Sequence, residues 1–122
     1  MRDRVLIAGD AAHVNNPLGG MGMNGGIHDA INLVEKLDKI INHSADRHDL
    51  LDLYNRQRRG ICTKFIQEHT KKNKALMEST DSDVQRKRQD RFMRLSADPE
   101  LAKAFVMQTS MINSVRESLA IQ

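Results

Sequence analysis

One short apolar run, Arg4 to Ala8, constrains this chain more than any other feature, because it ends in Gly9-Asp10 and has no counterpart further along. A β-branched, aliphatic run of that length reads as a strand buried on both faces of a parallel sheet. A lone strand leaves backbone donors and acceptors unpaired at both edges. No second convincing strand run occurs up to Gln122, so the expected sheet is completed by residues outside the 122 or by another chain. The unpaired edges also leave homo-oligomer formation open to the free chain, with aggregation or a partly molten state as the other outcomes. The expectation is an α/β fold contributing one strand, a Gly-rich loop and a helix, followed by an all-helical tail.

The loop is the stretch Gly9 to Gly26, which contains Pro17, Gly19, Gly20, Gly22, Gly25 and Gly26. After it, Ile27, Ala30, Ile31, Val34, Leu37 and Ile41 recur at spacings of three and four, predicting an amphipathic helix from about Asn24 to about Asn42. The polar break Asn42 to Asp46 offers Ser44 or Asp46 as a cap for a second helix, Arg47 to about Glu78, with Leu51, Tyr54, Ile61 and Phe65 on its buried side. Gly60 lies inside that pattern, where it costs roughly 1 kcal/mol relative to Ala and marks a bend or a close helix contact. Further helices are predicted over Val84 to Leu95, from Asp98-Pro99-Glu100 to about Gln108, and over Ser110 to Ala120. The expected division is 1–42, the carboxy-terminal part of a cofactor-binding domain, and 43–122, the helical tail.

A net charge of +3, from 19 basic and 16 acidic residues, gives no strong long-range field, so nucleic acid is not an expected partner. The basic runs Arg56 to Arg59 and Arg86 to Arg94 lack interleaved aromatics apart from Phe92 and read as solvated helix faces. The lone Cys62 excludes an internal disulfide framework, and with no Cys/His cluster at ligand spacing no metal site is expected. It reads as a small buried packer. A reducing cytoplasm fits best. The apolar run at the start is too short for a signal peptide or a transmembrane segment.

The chemistry is concentrated between Arg4 and Leu37. A strand ending in Gly9-Asp10 delivers a carboxylate to the ligand-binding edge of a parallel sheet, where it can accept hydrogen bonds from sugar or polyol hydroxyls. Gly19, Gly20 and Gly22 strip side chains from a loop leading into a helix start, so backbone amides can approach a flat ring or an anion. The helix beginning near Met23-Asn24 directs its positive end there, favouring negative charge by roughly 0.3 to 2 kcal/mol.

Gly9-Asp10-Ala11-Ala12-His13, Pro17, Gly19-Gly20, Gly22-Met23-Asn24, Gly26 and Asp29-Ala30-Ile31-Asn32-Leu33 follow one another in an order that resembles the second FAD-binding motif of flavoprotein monooxygenases of the para-hydroxybenzoate hydroxylase type. The resemblance implies an incomplete, Rossmann-like FAD-binding domain. Its cofactor-binding set would be Gly9, Asp10, Pro17, Gly19, Gly20, Met21, Gly22, Met23 and Asn24, with Asp10 on a ribityl hydroxyl, Pro17 beside the isoalloxazine, and Gly22 to Asn24 at the pyrimidine end. It also implies NAD(P)H as electron donor and an aromatic or similar small hydrophobic substrate to be hydroxylated. The family's first motif, GxGxxG after an amino-terminal strand, is not found. The chain resembles the last third or so of such an enzyme, its partner would be the missing N-terminal half, and alone it is expected not to turn over.

Single residues have plainer readings. Asp10 could cap the next turn, although the full motif favours a ligand role. His13 reads as structural or phosphate-side, and no catalytic residue is identified. Asp29 and Asn32 read as scaffold, while Met21 and Met23 stand evenly between pocket lining and gap filling. Two other functions stay open: part of a flavin reductase or halogenase, which carry related GD segments, and a non-enzymatic helical interaction module from a truncated reading frame.

Overall fold

The computed structural model describes residues 5–15, 17 and 20–122. Arg4, where the apolar run starts, and Gly19 lie outside them. The order is a single 3-10 turn, Gly9–Ala11, then α1 (Met21–His43), α2 (Arg47–Ile61), a π-helical segment (Cys62–Gln67), α3 (Glu68–Glu78), α4 (Ser82–Ala97), α5 (Pro99–Thr109) and α6 (Ile112–Ala120).

The α/β expectation is overturned: the described residues form helices and no sheet. Ala8 is extended, at φ −143° and ψ 158°, yet helix side chains take the neighbouring backbone groups. Tyr54 Oη donates to the Ile7 carbonyl at 2.8 Å, and the Gly9 amide donates to Asp29 Oδ2 at 3.0 Å. With no second strand in the sequence, these contacts fasten the segment where a ladder would otherwise do so. Val5 stays 65% exposed and Ile7 46%, so the run is not buried on both faces.

The helical part follows its local signals closely. Asp46 Oδ1 accepts from the Asp49 amide at 2.9 Å and caps α2. Asp98 Oδ1 accepts from the amides of Glu100 and Leu101, with Pro99 opening α5, where a missing N–H costs nothing. Asp81 caps α4 through the Asp83 amide at 2.8 Å. α1 ends at Ser44, whose left-handed backbone closes the helix onto the Lys39 carbonyl.

The second helix is one predicted run, Arg47 to Glu78, interrupted by the π segment. A π turn adds one residue and rotates everything after it by about 100°. Ile61, Cys62 and Ile66 are buried, the last at 0% exposure, while Phe65 is half-buried. Ile66 packs with Met21, Cys62 and Met111 in the core. Gly60 just precedes this turn and makes no close helix contact, since nothing lies within 4 Å of where its Cβ would be.

α1 is turned the other way from its apolar pattern. Ile27, Ile31, Val34 and Ile41 are exposed, whereas Gly25, Asp29, Asn32 and Lys36 are buried against α2 and the π segment. Arg58, read from the sequence as part of a solvated face, is only 6% exposed. It is buried because it has a carboxylate to meet there, the condition under which a guanidinium leaves water. α6 packs along α2, and α5 bridges α4 to α6.

Candidate functional site

Asp29 organises the site. Its Oδ2 accepts from the Gly9 amide at 3.0 Å and lies 2.7 Å from His13 Nε2, and its Oδ1 accepts from Arg58 Nε at 2.6 Å. Asp29 is 1% exposed, so these donors replace the water it has lost. Arg58 Nη2 also reaches the Gly25 carbonyl at 3.5 Å. The carboxylate thereby fixes the Gly9–Ala11 turn onto α1 and α1 onto α2.

His13 is fully committed within this network. Asn15 Nδ2 donates to His13 Nδ1 at 2.8 Å, which leaves Nε2 carrying the proton given to Asp29. The sequence offered no carboxylate at helical spacing; the partner comes from sixteen residues on, across the loop. With both ring nitrogens occupied, His13 holds the loop and has no free lone pair for acid–base work.

Gly9 has φ +61°, a left-handed backbone that turns the chain at the end of the extended segment. The turn then touches α1 backbone to backbone: a Cβ on Gly26 would stand 3.2 Å from Gly9 Cα. The pair of glycines explains why the GD turn and the helix can be so close, and it leaves Asp10 exposed beside α1. Tyr54 backs the same segment. Burial, reinforced by the Asp29 carboxylate, holds its phenol above the ordinary value and keeps it a donor to Ile7.

The amino end of α1 is open. Gly20, at φ 65°, makes no side-chain cap, and the first turn carries no acidic residue. Among the described residues no side chain caps the leading amides of α1, at the positive end of a 23-residue helix. Beside them Asn15 lies against Gly22, whose Cβ would stand 3.8 Å from Asn15 Cβ, and Asn15 Oδ1 is buried with no hydrogen-bond partner. Met23 is 75% exposed and Asn24 is exposed, as is Pro17. Met21 is different: its side chain is in the core, so only its backbone faces the loop.

Of the nine residues expected at a cofactor, the structure describes eight: Gly9 and Asp10 on the GD turn, Gly20 to Asn24 at the helix start, and Pro17 in the loop between them; Gly19 lies outside the described residues. Sequence reasoning undervalued Arg58, Tyr54 and Asn15. Its only signals for them were a tyrosine and an arginine four residues apart on one helix face. Among the described residues no group of His, Cys, Asp and Glu could hold a metal ion, and no helix is long and apolar enough to cross a membrane.

The glycine turn with its exposed Asp10 and the start of α1 both lie within the part of the chain that a family model matches. The chain belongs to the FAD binding domain family, whose model matches residues 1–69, from the extended segment through the π turn. It is 35% identical over 116 residues to para-nitrophenol 4-monooxygenase of Pseudomonas sp. (strain WBC-3), covering 94% of this chain and 28% of that protein. It is 48% identical over 65 residues to a rifampicin monooxygenase of Rhodococcus hoagii, and 45% identical over 65 residues to tetracenomycin B2 monooxygenase-dioxygenase of Streptomyces olivaceus. Each of these two alignments covers 53% of this chain, and 13% and 12% of the relatives respectively. The chain thus spans between about an eighth and a little over a quarter of the curated relatives it matches. No solved structure matches it.

Proposed function

We propose that this chain supplies the flavin-facing end of the FAD site in an NAD(P)H-driven monooxygenase that hydroxylates an aromatic or similar small hydrophobic substrate. The observation that carries the reading is the open amino end of α1 set next to the exposed Asp10, with the orphaned Asn15 Oδ1 between the loop and Gly22. These residues fit the cofactor: Asp10 accepts from polyol hydroxyls, and the amides of Gly22, Met23 and Asn24 donate to ring carbonyl and nitrogen acceptors. The buried Asn15 oxygen is an acceptor left for an N–H. Gly9 and Gly20 keep the approach clear of bulk, Pro17 packs beside the ring, and Met21 contributes its backbone.

When bound, FAD supplies the redox chemistry with hydride donor and oxygen. The protein's part is placement and electrostatics. The positive end of α1 favours negative charge on the ring, by about 0.3 to 2 kcal/mol. The Asp29 network holds the turn carrying Asp10 at a fixed position on α1, so the two ligand-facing elements stay in register. The relatives' names favour oxygenation over the reductase and halogenase alternatives.

The experiment is a fluorescence titration of the 122-residue protein with riboflavin and with FAD. Both flavins are expected to bind within about threefold of each other, because the ring and ribityl chain supply the contacts. Asp10→Ala should weaken both by about tenfold, the worth of a charge-assisted hydrogen bond, while Asp90→Ala changes neither. Absence of flavin binding, or indifference to Asp10→Ala, overturns the site. The isolated chain is expected not to oxidise NAD(P)H with FAD, and turnover would refute that part.

A further inference from the structure

A second concave region lies in the helical tail, and of its lining residues only His69, the last residue matched by the family model, falls within that match. α3, α4 and α5 enclose a groove of about 970 Å³ whose floor carries Leu76, Met77, Phe92 and Phe105. Neither α4 nor α5 has a single buried residue, and Met77, Phe92 and Met93 are between 55% and 66% exposed. Apolar side chains left that open, in a hollow rather than scattered, mark a binding surface.

The charge around the hollow has one sign. Lys87, Arg88 and Arg91 line it, and none of its lining residues is Asp or Glu. Arg86, which points to Asp83 at 3.0 Å, shows what a paired cation on this helix looks like; Lys87, Arg88 and Arg91 meet no carboxylate among the described residues. Arg91 sits 5.6 Å above the Phe105 ring, holding a cation over the apolar floor. Together with Lys72 outside the groove, Arg91 also acts on His69 at the rim, where burial first and then these charges lower the imidazole's affinity for protons.

We propose that the α3–α4–α5 groove binds an amphipathic organic anion, a small molecule with an apolar body and one carboxylate or sulfonate head. The apolar body lies on Met77, Phe92 and Phe105, and the head meets Arg88 and Arg91. Methionines suit such a floor because their unbranched side chains adapt to the shape laid on them. A second copy of the chain applied face to face would bring the same three cations against themselves, which argues for an anionic small molecule over self-association.

The probe is 8-anilino-1-naphthalenesulfonate, with its neutral counterpart N-phenyl-1-naphthylamine, titrated into the full 122-residue protein labelled with methyl-¹³C methionine. One saturable site is expected for the sulfonate, with the neutral dye about tenfold weaker, the difference made by charge-assisted contacts. The Met77 and Met93 methyl signals should move with saturation while those of the buried Met21 and Met111 do not. The double variant Arg88→Gln/Arg91→Gln should lose about tenfold for the sulfonate and leave the neutral dye unchanged. Met77→Glu, a change at an exposed position, should exclude the sulfonate by placing a carboxylate on the floor. Equal binding of the two dyes, shifts shared by all seven methionines, or indifference to both variants overturns the proposal.

Discussion

Arg58 donates through Nε to Asp29 Oδ1 at 2.6 Å, and neither side chain is more than 7% exposed. One end of the Gly9–Ala11 turn therefore depends on an ion pair buried between α1 and α2. Asp29→Ala removes the acceptor of three donors and strands the guanidinium, which should cost about 3–5 kcal/mol. Arg58→Met should cost less, because Asp29 keeps the Gly9 amide and His13. In a urea double-mutant cycle the combined variant Asp29→Ala/Arg58→Met should be more stable than the sum of the single effects predicts. Simple additivity would show that the pair is not coupled.

Two glycines on neighbouring helices should respond to alanine with opposite signs. At Gly25 a Cβ would stand 2.7 Å from Ile66 Cδ1, and Ile66 has no exposed surface into which to retreat. Gly25→Ala should destabilise by about 1–3 kcal/mol through overpacking where α1 crosses the π segment. At Gly60 a Cβ meets nothing within 4 Å, so Gly60→Ala should stabilise by about 0.5–1 kcal/mol through helix propensity. Thermal melts of the two variants should move to either side of the parent, and a shared direction would contradict the packing described.

Legibility followed the range of the interaction. Helix starts at Asp46 and Asp98 were readable because a cap is written within three residues of the amide it satisfies. The family was readable because the glycines and Asp10 fall in a short, ordered segment within the residues that the FAD binding domain model matches. Two features failed for opposite reasons. The apolar run has the composition of a strand, but the backbone groups of Ile7 and Gly9 are met by Tyr54 and Asp29, side chains 47 and 20 residues away that no local pattern announces. The apolar stripe of α1 was taken for its packing face, yet the buried stripe is polar, because Asn32 and Lys36 find Gln57, and Gln57 in turn donates to the Ile121 carbonyl. A polar stripe becomes an interface only when another element supplies its partners. The π turn likewise left no sequence signal.

Cys62 is the one thiol, and it belongs to the core with Met21, Ile66 and Met111. Burial, and then the nearby Asp29 carboxylate, push it above its ordinary value, so the reactive thiolate is scarce in the folded protein. Its reaction with Ellman's reagent at mildly alkaline pH should be slow in native buffer and rise many-fold in denaturing urea. Asp29→Ala should accelerate the native reaction, both by opening the core and by removing the negative charge. A native rate equal to that in urea would place Cys62 at the surface.

Stability should fall on mild acidification through two histidines. His28 is held below 6.5 by burial first and by the Arg58 cation second, and its Nδ1 is buried without a partner. His69 is lowered by burial and then by Arg91. Both rings take up protons less readily folded than unfolded, so just below 6.5 the unfolded chain carries more protons and folding weakens as pH drops. The stabilising contribution is complete above 6.5 and disappears as pH falls through the depressed folded values. The urea midpoint should therefore decline below 6.5, and His28→Gln/His69→Gln should flatten that decline. A midpoint that rises on acidification in the parent protein would mean that these rings gain partners on folding, the reverse of what the unpartnered His28 Nδ1 and the Arg91 cation near His69 dictate.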